Sequence, residues 1–279
     1  MENPRTETQN KNREKTSHPG IDPDYFFDRF RLIIAHTPEE KQRAFSLRHA
    51  VFHEELHYDI GDKTNKPLEK DSYDNDSILC LLQHKSTGID AGCLRVVIID
   101  DKNENSEKLL PFEEYCGNSL MGSGFHPDMF PKNTICEVSR LAVHPSFRKR
   151  EKPPTGIKDE DISKIDSVNE KQQPALIGLC LFLAATAIVG ASQRRHVFAM
   201  IEPKLNRLLK ASGLHFHKAG ETIDHCGLRA AHYIDQKKAE ENLPEKTNPL
   251  YQRIKKDLQQ QIKKKRINER LPHDLYHEA

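Results

Sequence analysis

The sequence predicts an α/β domain, a mixed sheet flanked by helices. Three observations carry that prediction. Apolar, β-branched runs alternate with helical patterns in the order strand, helix, two hairpin strands, strand, helix, strand, helix, two strands. The run Cys136-Glu137-Val138-Ser139-Arg140-Leu141-Ala142-Val143 reads as a buried strand, closed by Pro145. The longest apolar stretch, 175–191, is slightly short for a membrane span and reads as a buried helix.

Residues 1–22 are polar and nearly free of aliphatics, which predicts a disordered tail. An aromatic cluster over 24–30 opens the fold, and 31–36 is a first strand. Thr37-Pro38-Glu39-Glu40 starts a helix with a threonine cap, proline at the first position and acids in the first turn. It runs to about Leu56 and carries Arg48, Phe52 and Glu55 on one face. A loop over 57–69 leads to Asp71-Ser72-Tyr73-Asp74, two acids directly before a strand at 77–83, where turn chemistry alone also accounts for aspartates. Thr87-Gly88 turns the chain into a returning strand at 92–99. Arg95, among Cys93, Leu94, Val96 and Val97, needs an acid that Asp71 or Asp74 can supply.

A mixed stretch over 100–133 holds a short helix at 112–116, and 149–173 is a charged excursion poor in core residues. Beyond it come an apolar helix from Pro174, a strand over 195–202, and an amphipathic helix over 204–212 with Leu205, Leu208 and Leu209 inward, ended by Gly213. Two hairpin strands follow at 214–219 and 228–234. From 237 the pattern is a charged helical extension with a thin stripe of Leu250, Ile254, Leu258 and Ile262. The predicted organisation is a tail (1–22), one domain (23–236) and that extension (237–279).

Charged residues make up 30% and hydrophobic ones 36% of the 279 positions, with the polar excess concentrated in the ends and the excursion. Mean hydropathy is −0.75. A net charge of +1 provides no basic field for nucleic acid. The six cysteines form no C-x-x-C pair and no Cys/His zinc spacing; Cys80, Cys93, Cys136 and Cys180 sit in apolar runs as small hydrophobes. The first residues lack an apolar signal core. A reduced cytoplasmic protein without a metal is expected, with no transmembrane segment, though peripheral membrane contact stays open.

The chemistry concentrates in the 136–143 strand. In a flat strand Glu137 and Ser139 share one face and Arg140 points to the other. A buried carboxylate or guanidinium costs several kcal/mol (roughly) unless it is paired or faces a cleft. Structural ion pairs and a reacting centre both satisfy that requirement.

The element order resembles the GNAT acyltransferase fold. The set Arg48, Phe52, Asp71-x-x-Asp74, Arg95, Leu109-Leu110-Pro111 and Glu137-x-Ser139-Arg140, spread over residues 30–235, narrows the likeness. It resembles acyl-homoserine lactone synthases, long-chain N-acyl amino acid synthases and the acyltransferases of PEP-CTERM/exosortase systems. That resemblance implies transfer of a fatty acyl group from an acyl carrier protein or CoA thioester, used as co-substrate, to a small-molecule amine acceptor, with no permanently bound cofactor. It implies an acceptor pocket shaped by Arg48, Phe52, Asp71 and Asp74, acids oriented by Arg95, and Glu137 with Arg140 at the reacting centre. Glu137, beside apolar neighbours, would have a raised pKa and act as base directly or through water. Ser139 or a water would reprotonate the leaving thiol, and a backbone N–H of the strand would hold the carbonyl oxygen.

Two departures stand out. The lactone synthases carry a tryptophan after the first helix, which helps enclose S-adenosylmethionine; this chain has none, and only His57 and Tyr58 are aromatic there. No compact Gly-rich pyrophosphate turn follows the central strand, which favours a carrier-protein donor over CoA. Arg148, Lys149, Arg150, Arg194, Arg195, Lys204, Arg207 and Lys210 are expected around the donor entrance, facing an acidic carrier or plain solvent. Three functions remain in play: an N-acyltransferase acting on an amino-acid-like amine, a lactone synthase, and a non-catalytic lipid-binding or scaffold protein.

Overall fold

Seven strands form one sheet in the order β1-β2-β3-β4-β5-β7-β6. The computed structural model describes residues 22–62, 66–99, 108–120, 124–148 and 173–266. The expected tail (1–22) apart from Asp22, which caps the first helix, most of the charged excursion, and Lys149 and Arg150 within it lie outside those residues. The elements are α1 (Pro23–Arg29), β1 (Phe30–Ala35), α2 (Pro38–His49), β2 (Ser77–His84), β3 (Asp90–Val97), α3 (Pro111–Cys116) and β4 (Ile135–Val143). Then come α4 (Gln173–Ala191), β5 (His196–Ile201), α5 (Pro203–Ala211), β6 (His217–Asp224), β7 (Leu228–Asp235), α6 (Gln236–Glu241) and α7 (Asn248–Arg266). This is the mixed, helix-flanked sheet that the alternation of patterns predicts. The strand expected at 214–219 starts at His217 and runs on to Asp224 as β6, whose mostly exposed later residues break the apolar pattern.

Local chemistry explains the boundaries. Thr37 and Glu40 close a capping box at the start of α2. Gly213, at φ +88, ends α5 in a conformation that only glycine adopts without strain. The predicted helix to Leu56 is in fact α2 followed by a π-helical turn, Ala50–Glu55, in which Leu56 N–H donates to Val51 O at 3.1 Å. One residue more per turn shifts the side chains downstream of it, so the spacing of Arg48, Phe52 and Glu55 is not that of a regular α-helix.

Every neighbouring strand pair is antiparallel except β4–β5. That parallel pair has three rungs, from Ile135↔His196 to Glu137↔Phe198, and beyond Glu137 the two strands part. On its other side β4 carries a bulge. Cys93 faces Ala142 and Arg95 faces Ser139, so two steps along β3 match three along β4. Arg140 takes up the slack at φ 52.

The first face of the sheet packs on α4 and α7. A Cβ on Gly92 would lie 2.8 Å from Leu181 Cδ1, so α4 sits directly on β3. Leu250, Ile254, Leu258 and Ile262 are buried with α4 and β1 in the main core cluster. Within the stretch expected as an extension, α7 is therefore a wall of the domain. The Gln261 amide also pairs with the outer backbone of β1, accepting from Ile34 N–H at 3.0 Å and donating to Leu32 O at 2.8 Å. The second face carries two apolar clusters, one under α2 (Leu47, Leu79, Leu81, Cys93) and one under α3 (Phe112, Phe198, Tyr233). Charged residues fill the gap between them.

Candidate active site

The gap holds a closed ring of six alternating charges. Arg48 donates from Nη1 to Asp74 Oδ1 at 2.6 Å, from Nη2 to Asp74 Oδ2 at 3.0 Å, and from Nε to Glu69. Arg95 Nη1 reaches Asp71 Oδ1 at 2.5 Å and Asp74 Oδ1 at 3.2 Å. Arg140 completes the circuit through Nε to Glu69 Oε1 at 3.1 Å and Nη2 to Asp71 Oδ2 at 2.9 Å. Each ion meets two of the opposite sign, which offsets the desolvation of so many buried charges. Burial opposes charge on Arg48, but Asp74 and Glu69 more than compensate and hold its pKa above the usual range. Burial would likewise raise Asp74; the bond and charge of Arg48, then the charge of Arg95, keep it lowered.

Sequence and structure agree on why these side chains meet. Arg95 and Ser139 are cross-strand neighbours, and Arg95 Nε donates to Ser139 Oγ at 3.1 Å. Asp71 and Asp74 cap each other's backbone in the turn before β2. The flat-strand expectation for Arg140 does not hold: the bulge turns its side chain onto the same face as Glu137 and Ser139, where Glu69 and Asp71 receive it.

Glu137 stands beside the ring, 3% exposed, and accepts the Phe112 N–H at 2.8 Å. It forms no ion pair with either arginine within salt-bridge distance among the described residues. Burial pushes its carboxyl up to about 7, against the opposing pull of the Phe112 N–H and the Arg95 and Arg140 charges. Arg95 Nη2 is buried and has no partner.

A cavity of about 330 Å³ opens where β4 and β5 part. Ser139, Arg140 and Phe52 line it on the side of the charge ring; Phe182, Ala185 and Val189 of α4 line it on the far side. Glu137, Arg95, Arg48, Asp71 and Asp74 are not on its wall, so of the residues expected to shape a pocket Phe52 alone reaches it. Phe52 stacks on Tyr58, rings 6.4 Å apart and 14° from parallel. His57, the other aromatic candidate of that loop, is not on the wall.

The expected donor-entrance cations divide. Arg148 lines the cavity and pairs with Glu55. Lys204, Arg207 and Lys210 are exposed on α5, which follows the open end of β5. Arg194 is 1% exposed, and Arg195 precedes β5 and donates to Asp235 Oδ2 at 2.8 Å. Both stand where β4 and β5 are still paired, as Arg195 N–H bonded to Thr134 O shows. They belong to the closed end and leave the entrance set.

Sequence reasoning missed Glu69, which looks like the end of a polar loop yet is fully buried between Arg48 and Arg140. It also missed His225 and Arg229, both on the cavity wall. Period-two alternation with the inward Ala231 and Tyr233 marks Arg229 as facing the same side. No group of three or more His, Cys, Asp or Glu suited to a metal exists among the described residues, and no helix among them is long and apolar enough to cross a membrane.

Residues 47–154 match a family model described as "Acetyltransferase (GNAT) domain". Among solved structures, the CoA-dependent acyl-homoserine lactone synthase BjaI, with SAM and isopentyl-CoA, superposes with a TM-score of 0.52 at 19% identity, over 81% of this chain and 89% of its own. The acyl-homoserine lactone synthase LasI gives 0.50 at 17% identity, over 74% and 90%. FeeM, an N-acyl amino acid synthase from uncultured soil microbes, gives 0.49 at 13% identity, over 77% and 94%. No curated protein matches the sequence. The family match over 47–154 and the first two superpositions, with the seven-stranded sheet and its parting central strands, identify the fold as GNAT-like.

Proposed function

We propose that the chain is an N-acyltransferase that moves a fatty acyl group from a carrier thioester to the amine of an amino-acid-like acceptor. One observation carries this reading. An apolar cavity leads from the parted β4–β5 strands to Ser139 and Arg140, and Glu137, its carboxyl pushed up to about 7, lies on the same face of β4. Under α4 the bore is lined by Phe182, Ala185 and Val189, which suits an acyl chain. Among the described residues no strand pairs with the edge of β4 beyond Glu137 that faces β5, which would leave its N–H groups to polarise the thioester carbonyl.

In the reaction the amine nitrogen attacks the carbonyl carbon, the C–N bond forms and the C–S bond breaks. The proton lost by nitrogen passes to Glu137. Because Glu137 is off the cavity wall, a water takes that proton to it; the unpartnered Arg95 Nη2 and the carboxylate supply polar contacts for such a water. The departing thiolate takes a proton from water, or from Ser139, a residue of the wall that regains one through water from the protonated Glu137. Arg140 touches the reactants, while Arg48, Arg95, Glu69, Asp71 and Asp74 are positioning residues that fix Arg140 and Ser139.

Exposed Lys204, Arg207 and Lys210, with Arg148, suit an acidic acyl carrier protein as donor. Six free thiols suit a reducing cytoplasm. The lactone-synthase reading gains from the Phe52–Tyr58 stack, an aromatic wall in place of the absent tryptophan.

Mass spectrometry of lipid extracts from cells expressing the wild-type chain or Glu137→Gln tests these readings. An N-acylated amine that disappears in the variant is expected. A homoserine lactone would replace it with the second reading, and no new species in either strain, or with purified protein given acyl carrier thioesters, would sink both.

A further inference from the structure

Arg229 has no part in the chemistry above, yet it stands on the cavity wall beside it. It is the second residue of β7, on the sheet face of the charge ring. Its Nη2 donates to Glu202 Oε1 at 3.0 Å and lies 3.4 Å from Tyr58 Oη, with the guanidinium 5.5 Å from the Tyr58 ring centre. Its Nε is buried with no acceptor. A buried guanidinium N–H without a partner is costly, and a ligand anion is the natural way to satisfy it. The acid beside it does not consume the charge: Glu202 is 47% exposed in its side chain and takes one nitrogen. The other cations on this wall are already matched, Arg140 by Glu69 and Asp71 and Arg148 by Glu55.

The surroundings are flat and aromatic. His225, from the β6–β7 turn, lines the same wall and is backed by Tyr115, rings 3.9 Å apart and 27° from parallel. Tyr58, stacked on Phe52, faces the cavity from the loop after α2. Burial first, then the charges of Arg229 and Arg140, lower the His225 pKa, so the imidazole is a neutral wall and Arg229 carries the charge. The apolar bore for an acyl chain continues on the opposite side of the sheet, under α4, which leaves this side for the acceptor.

We propose that Arg229 is a specificity residue that holds the carboxylate of the acceptor, with Tyr58 and His225 flanking the rest of it, so that the acceptor is a free α-amino acid and not a simple amine. This rests on the N-acyltransferase reading. A carboxylate bound by Arg229 leaves the amine directed toward Ser139 and Arg140.

The test uses the purified full chain, dodecanoyl carrier-protein and dodecanoyl-CoA thioesters, and a panel of free L-amino acids with their carboxamides, followed by thiol release. The wild type should prefer an acid over its amide by about 10-fold or more in kcat/KM. Arg229→Gln should lose that preference through the acceptor KM, with the donor KM unmoved, and Arg229→Lys should recover part of it. Equal use of acid and amide by the wild type, or a preference that survives in Arg229→Gln, overturns the assignment. If no amine in the panel releases thiol, the acyltransfer reading itself has failed. Calorimetric titration of N-dodecanoyl amino acids and their amides then decides on Arg229 alone: acid-selective binding lost in Arg229→Gln sustains it as the anion contact, and its absence overturns it.

Discussion

Glu137 couples folding to the reaction. Its carboxyl, ordinarily near 4.5, is held at about 7 by burial. Between those values the native chain binds a proton that the unfolded chain has released, so this group's stabilisation, full at low pH, falls as pH rises through the window, by about 3 kcal/mol in all. Urea midpoints of the wild type and Glu137→Gln should therefore agree best at about pH 4 or below and separate by pH 8, with the variant the more stable. The same group should give kcat/KM an ascending limb near pH 7 that Glu137→Gln lacks, together with a loss of about 10²–10⁴-fold in rate. Arg48 makes the opposite case. Arg48→Met leaves Asp74 and Glu69 buried with one cation fewer and should cost about 3–5 kcal/mol by denaturant unfolding. The need of Arg95 for Asp71 or Asp74 was legible from an arginine inside an apolar strand. Glu69 was not, because nothing local distinguishes a buried loop acid from an exposed one.

At the scale of elements, two small insertions place the site: the π turn after α2 and the bulge in β4. Each changes direction by one residue, and neither alters the hydrophobic period enough to be read in advance. The β4 bulge moves Arg140 to the reacting face, and the π turn separates Phe52, on the cavity wall, from Arg48, in the ring. The role of α4 as a wall follows more readily from its small residues. Ala185→Phe would fill the bore beneath the parted strands. It should lower kcat/KM for long-chain thioesters by about 10-fold or more while sparing short ones, as a series of acyl donors will reveal. Such selectivity is absent if the chain lies elsewhere.

For the molecule as a whole, the alternation of strand and helix patterns was enough to define the sheet and its flanking layers. It did not say which end of a strand opens, and so Arg194 and Arg195 were grouped with Lys204 and Arg207, although the β4–β5 pairing puts them at opposite ends. The stripe on α7 was visible, but a line of apolar residues four apart does not name the surface it meets. That surface is the first sheet face, and Leu258→Ala should cost about 2–5 kcal/mol in a urea melt. A value near zero would make α7 an appendage after all.

The Gln261 amide does more than fasten α7. β1 is the outermost strand, and an unpaired outer backbone is a template on which another chain can add a strand. One side-chain amide, occupying both the Ile34 N–H and the Leu32 carbonyl, interrupts that template at its middle. Gln261→Leu keeps the bulk and removes the block, so its cost should appear less in the unfolding midpoint than in light scattering of concentrated native protein. In that sense the last helix guards against self-assembly of the sheet, and a chain cut before Gln261 would lose solubility before it lost its fold.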